Sequence, residues 1–191
     1  MKKLFSLLFV GLLSSTMVAQ TSWKADPMHS KLTFSATHLG IADVAGLFKN
    51  FELTATGKNA DFSDAVFELS ADVASIDTEV DMRDEHLRSA DFFEVEKYPK
   101  MTFKSTSIKK SGDNRYKVTG NLTIRGMSKP VTLDFWYRGT VENPQSKATT
   151  AGFQVTGTIK RSDFGVGPNF KPPMISDEIA IKADGEFIKN K

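Results

Sequence analysis

Lys31-Leu32-Thr33-Phe34-Ser35-Ala36-Thr37-His38 turns one parity toward an apolar phase and the other toward water, and the same rhythm returns in Val131-Thr132-Leu133-Asp134-Phe135-Trp136-Tyr137-Arg138. A period of two is the mark of a strand with one dry face and one wet face. Working outward, Leu47, Phe51, Leu53 and Ala55 share a parity that Lys49 interrupts, and Phe67, Leu69, Ala71 and Val73 oppose Glu68, Ser70 and Asp72. Met101 and Phe103 alternate with Thr102 and Lys104; Tyr116, Val118, Leu122 and Ile124 with Lys117, Thr119, Asn121 and Thr123. Phe153, Val155 and Ile159, then Ile179, Ile181, Ala183 and Phe187, complete about eight such segments. Turn-rich links such as Ser111-Gly112-Asp113-Asn114 and Glu142-Asn143-Pro144-Gln145 are short, so neighbouring strands run antiparallel. The expectation is an all-β domain, and alternation alone leaves a closed barrel and a sandwich open.

The chain has 191 residues, 15 Phe and no Cys. Without a cysteine thiol there is no disulfide, thiolate-bound metal or thiol nucleophile. Lys2 and Lys3 precede the apolar run Leu4 to Leu13, followed by Ser14, Ser15, Thr16 and Ala19. Residues 1–20 thus read as a signal peptide, with one domain over 21–191 and a periplasmic or secreted location after cleavage. Removing Lys2 and Lys3 leaves 23 basic against 23 acidic residues. Nothing in that balance supplies a basic stripe for nucleic acid. An outer-membrane barrel also alternates, but it carries Tyr and Trp girdles; 3 Tyr and 2 Trp beside 15 Phe favour a dry interior over a lipid-facing exterior.

One segment breaks the rhythm. Asp77 to Phe93 has helical spacing, with Val80, Asp84, Leu87 and Asp91 on one stripe, an Asp or Thr cap, and Phe92-Phe93 at its end. Between two strands, such a segment can close one end of a barrel. Asp84 and Arg88 have the spacing of an i,i+4 ion pair, and Asp81 and Asp84 read as exposed acids.

Several separated blocks resemble the YceI-like family of bacterial periplasmic proteins. They are Trp23, Asp26, His29 and Ser30; His38 with Val44, Gly46 and Phe48; Arg83-Asp84-Glu85-His86-Leu87-Arg88-Ser89-Ala90-Asp91-Phe92-Phe93; Tyr98-Pro99 with Met101-Thr102-Phe103; Gly120-Asn121-Leu122-Thr123-Ile124-Arg125-Gly126; and Arg161-Ser162-Asp163-Phe164-Gly165. The resemblance covers almost the whole chain after residue 22. It implies a single lipocalin-like antiparallel eight-stranded barrel with one short helical segment, whose tunnel binds a long isoprenoid or another amphiphilic lipid.

The inward parity, with Leu87, Phe92 and Phe93 of the helical segment, then predicts a tunnel lined by Phe34, His38, Phe51, Leu53, Leu87, Phe92, Phe93, Met101, Phe103, Leu122, Leu133, Phe135, Phe153 and Val155. Small inward residues, Ala36, Ala55, Ala71, Gly120, Gly157, Ala183 and Gly185, leave it room, unless large residues opposite fill the space and make a solid barrel. Arg83, Arg125 and Arg161 are available to a polar head group, or are ordinary solvated or paired arginines at strand ends. The expected partner is a long-chain lipid or isoprenoid, with no cofactor, no nucleic acid and no stable membrane insertion; a homodimer is left open. The competing enzyme reading is a metal site built from His29, His38 and His86, though no spacing gathers them. No Ser-His-Asp order, phosphate loop or dinucleotide fingerprint is present.

Overall fold

The computed structural model describes residues 20–190; the leader expected over 1–20 lies almost wholly outside them. The strands are β1 (Thr21–Ala25), β2 (Lys31–His38), β3 (Ala42–Phe48), β4 (Phe51–Gly57), β5 (Val66–Asp72) and β6 (Ile76–Asp77), followed by helix α1 (Asp81–Arg88). Then come β7 (Lys100–Gly112), β8 (Arg115–Ile124), β9 (Met127–Glu142), β10 (Thr149–Lys160) and β11 (Ile175–Lys189). Every pairing is antiparallel, and β1 joins both β4 and β11, which closes the sheet.

The eleven segments make eight staves. β1 and β2 lie end to end along β11, pairing Trp23 with Lys189 and His38 with Ile175. β3 and β4 lie end to end along the first stave, and β5 and β6 along the second. β7 to β11 supply one stave each, and all eight run up and down in chain order. Closure leaves no free edge, which settles barrel against sandwich.

Interruptions in the staves have local causes. At Lys49-Asn50 the inward parity changes: Phe48, opposite Leu32, is buried, and β4 resumes with Phe51, opposite Ala71, and buried Leu53, opposite Leu69. Leu47, expected to face inward with Phe51, instead sits opposite Thr33 on the other face. Ser75 stabilises this kink, its carbonyl accepting from Lys49 N and its hydroxyl from Asn50 N (3.0 Å). Between β1 and β2 the chain leaves the ladder over 26–30, and Ser30 fills the gap: its Oγ accepts from Glu186 N and donates to Glu186 O, both at 3.2 Å. Only glycine fits opposite, because a Cβ on Gly185 would lie 2.2 Å from that Oγ.

The interior is aromatic. Phe153 stacks on Phe187 with centroids 4.0 Å apart, and Phe67 lies 4.9 Å from Phe135. The outer face carries cross-strand ion pairs such as Lys104–Glu68 (2.7 Å) and Lys117–Asp134 (2.6 Å). A charged exterior around an apolar interior is the reverse of an outer-membrane barrel.

Candidate functional site

The barrel is not solid. It encloses a cavity with about 180 Å³ open to the centres of water-sized spheres, where a single water needs about 10–15 Å³ by that measure. Its wall presents carbon and no polar surface. Of the fourteen residues predicted to line it, Phe34, Phe51, Leu53, Leu87, Phe92, Phe93, Met101, Phe103, Leu122, Leu133, Phe135, Phe153 and Val155 stand on that wall. His38 does not: it is the last residue of β2, exposed, where alternation no longer places a side chain inside. The small inward residues divide. Ala36 and Ala183 border the cavity, whereas the Phe103 ring lies over Gly120 and Leu133 over Gly157, so those glycines hold neighbours instead of empty space.

One end of the cavity is sealed. Phe62, in the connection between β4 and β5, turns inward with its centroid 5.2 Å from both Trp23 and Tyr137 and also meets Phe135 and Phe187. The cradle is built by Asp64, which accepts from Lys58 N and Asn59 N, and by Asp61, which accepts from Ser63 N. Phe62 adopts φ 63°, a left-handed conformation costing about 1–2 kcal/mol; burying the ring is worth about 3–5 kcal/mol, so burial wins. Period-two reading missed this residue, whose signal was a lone Phe in the polar run Lys58-Asn59-Ala60-Asp61-Phe62-Ser63-Asp64.

Two connections cover the opposite end. The first holds α1, shorter than the spacing suggested, and puts Leu87, Phe92 and Phe93 on the cavity wall. Asp84 is buried and does not pair with Arg88: its Oδ1 accepts from Thr78 N (2.9 Å) and Thr78 Oγ1 (2.5 Å), tying the helix start to the end of β6. The residue before the helix is Val80, which offers no capping side chain. Arg88 donates instead to the carbonyls of Ala74 and Ile76.

The second connection, 161–174, adds Val166 to the wall and is organised by Arg161, only 8% exposed. Its Nε donates to Ser176 O (2.9 Å), one terminal nitrogen to Val166 O and Gly167 O (2.8 and 2.7 Å), the other to Ile175 O (3.0 Å) and Phe170 O. All five guanidinium N–H groups thereby meet main-chain carbonyls, and burial lowers the Arg161 pKa from its ordinary value. Arg161 is therefore neither solvated nor free for a head group. Arg83 donates to Thr78, and Arg125 to Glu94 (2.9 Å) and the Gly165 carbonyl, so both are likewise engaged within the protein. Phe170 stacks on Phe92 at 4.7 Å, joining the two covers.

The three histidines have separate environments. His29 Nδ1 lies 2.7 Å from Asp26 Oδ2, and His86 lies 3.2 Å from Asp91 and packs edge-on against Phe92 and Phe170. The hydrogen-bonded partner raises the His29 pKa and holds Asp26 below the usual carboxylate range. Among the described residues, Asp26, His29 and Glu186 form the one group with ligand-type atoms within 4.8 Å of one another; it lies where the 26–30 segment meets β11, with only His29 exposed, and none of the three lines the cavity. His38 and His86 take no part in it, which removes the three-histidine site.

A closed antiparallel barrel around a dry cavity, covered at one end by a helix-bearing connection, defines the lipocalin-like class. Residues 23–187 match the YceI-like domain, and the chain belongs to that family. It is 36% identical over 187 residues to protein YceI of Salmonella agona, covering 96% of this chain and 97% of that one. The crystal structure of Burkholderia cenocepacia BcnA superposes with a TM-score of 0.75 at 28% identity, over 87% of this chain and 99% of that one. A polyisoprenoid-binding domain from Saccharophagus degradans shares the fold at 15% identity and a TM-score of 0.62, over 91% and 100% of the two chains.

Proposed function

We propose that this protein binds, and carries or sequesters, a long-chain amphiphilic lipid such as a polyisoprenoid inside the barrel, without catalysing a reaction. The observation that carries this reading is the carbon-only wall of the cavity. Thr33, Arg161 and Lys182 border the cavity too, but the surface they and their neighbours turn into it is carbon, which suits a hydrocarbon chain. Each buried CH₂ contributes roughly 0.8 kcal/mol, so about ten of them supply roughly 8 kcal/mol before ordering costs. The polyisoprenoid-binding domain of the same fold supports the ligand class. Residues 1–20 act as the leader that takes the protein to the periplasm or outside the cell; no described helix is long and apolar enough to cross a membrane.

The thirteen wall residues of the predicted set form the binding surface in this reading, with Leu87, Phe92 and Phe93 contributed by the helix-bearing cover. The test is denaturing extraction of the purified protein followed by mass spectrometry of whatever co-purifies, beside displacement of a bound hydrophobic fluorophore. A hydrocarbon chain recovered in stoichiometric amount, and fluorophore affinity weakened at least tenfold in a folded Phe92→Ala/Phe93→Ala variant, are expected. A folded protein that retains no such molecule and takes up no fluorophore refutes the proposal.

A further inference from the structure

Where the first stave leaves its ladder with β11, three side chains of metal-ligating type converge. Asp26, His29 and Glu186 each offer one atom to a set whose members all lie within 4.8 Å of one another. Their main chains are fixed in place by the protein itself. Asp26 N donates to Glu186 O (2.8 Å), His29 N donates to Asp26 O (3.2 Å), and Ser30 Oγ bonds both Glu186 N and Glu186 O. The Asp26 carboxylate is oriented as well: Oδ1 accepts from Met28 N (3.0 Å), which leaves Oδ2 facing His29 Nδ1 at 2.7 Å. Carboxylates that ligate metals are held by outer hydrogen bonds of this sort.

The charges in this group do not balance. The Asp26 side chain is only 16% exposed, and Glu186 is half-buried. Among the described residues no Lys or Arg forms an ion pair with either acid; Lys24 pairs with Glu52, and Arg138 and Lys182 pair with Asp184. His29 is the one cationic partner, and even when protonated it leaves one of the two negative charges uncompensated. Carboxylates that share a site repel each other unless a cation lies between them. His29 feels both acids: its pKa is raised first by the hydrogen bond to Asp26, and Glu186 adds to the shift. His86, the other histidine beside an acid, has Asp91 alone.

The donor set selects the ion. One imidazole and two carboxylates suit Zn²⁺, which binds three such ligands and leaves further positions to water, whereas Ca²⁺ and Mg²⁺ favour oxygen throughout. A divalent ion on the neutral imidazole also balances both carboxylates. We propose that Asp26, His29 and Glu186 form a Zn²⁺ site that staples the 26–30 segment to β11. The role of the ion is mechanical, since it ties the break between β1 and β2 to the last strand of the barrel. None of the three residues lines the cavity, so the site stands apart from the lipid reading.

The test uses the intact protein, stripped of metal with a chelator and then given ZnCl₂. Equilibrium dialysis should return one Zn²⁺ per chain, and a hundredfold excess over Kd should raise Tm by roughly 5–10 °C. MgCl₂ at the same concentration should leave Tm unchanged. Glu186→Gln removes one ligand while keeping the Asp26–His29 pair, and it should weaken Zn²⁺ binding at least tenfold, as should His29→Gln; circular dichroism without zinc establishes that each variant is folded. His86→Gln should bind as the unaltered protein does. Bound Zn²⁺ should also slow amide exchange over 26–30. The site is refuted if the protein takes up no Zn²⁺, if folded Glu186→Gln binds it equally, or if His86→Gln is the variant that loses it. Binding that leaves exchange over 26–30 unchanged would overturn the staple.

Discussion

Replacing Arg161 by Lys keeps the charge and removes the fork, and its cost follows from the hydrogen bonds around the guanidinium. Five N–H groups serve the carbonyls of Val166, Gly167, Phe170, Ile175 and Ser176. An ammonium has three donors on a single nitrogen, so at least two carbonyls lose their partner. Val166 and Gly167 are buried, whereas Phe170, Ile175 and Ser176 are half-buried and within reach of water. With each stranded buried carbonyl costing about 1–3 kcal/mol, the loss is about 2–6 kcal/mol, a large fraction of the total stability of an ordinary domain. For a chain of this size that lowers Tm by about 4–24 °C. Urea unfolding followed by circular dichroism gives the stability, and amide hydrogen exchange locates the change, which should be greatest over 161–176. A loss below about 1 kcal/mol with unchanged exchange in that segment would refute the view that Arg161 holds the cover.

Phe62→Ala should cost about 3–5 kcal/mol in a urea titration, since its ring seals one end of the cavity; a loss under about 1 kcal/mol would mean the plug is dispensable. Gly185→Ala should lower stability by about 1–3 kcal/mol in thermal melts, because its Cβ meets Ser30 Cα and Oγ; an unchanged Tm would show that the 26–30 turn yields freely. The Asp26–His29 pair gives a pH dependence of known sign. With His29 raised in the folded state, its contribution is fully present below the ordinary histidine pKa of 6.5 and is lost as pH rises through the raised value. The Tm difference between the protein and a His29→Gln variant should therefore shrink from pH 5 to pH 9, and a difference that stays constant or grows would dismiss the pair.

Alternation made the staves legible because one-sided burial repeats along each strand, and the same parity pointed to ten of the wall residues, while Leu87, Phe92 and Phe93 came from the helical spacing and the paired Phe that ends it. It failed where local backbone events intervene. The kink at Lys49-Asn50 exchanges Leu47 for Phe48, and a parity carried across it cannot register the exchange. His38 keeps the rhythm of β2 but lies at its last position, beyond the point where the interior is covered. Asp84 looked like a surface acid because the acceptor role it plays for Thr78 depends on β6 ending beside α1. Arg161 and Phe62 sit in irregular segments, where burial follows tertiary packing and has no period to read.

The seam between the first stave and β11 joins residues as distant as Ser30 and Glu186, 156 positions apart. All other stave neighbours follow one another along the chain, so they can zip together locally while this pair waits for the C-terminal strand. Closing a loop of that length costs about 4–5 kcal/mol of chain entropy, which the final ladder must outweigh in a single late step. Until then the nascent chain is an open sheet with two adhesive borders and a greasy trough instead of an enclosed chamber. A polypeptide truncated before Ile175 would remain at that stage, so aggregation is its expected fate.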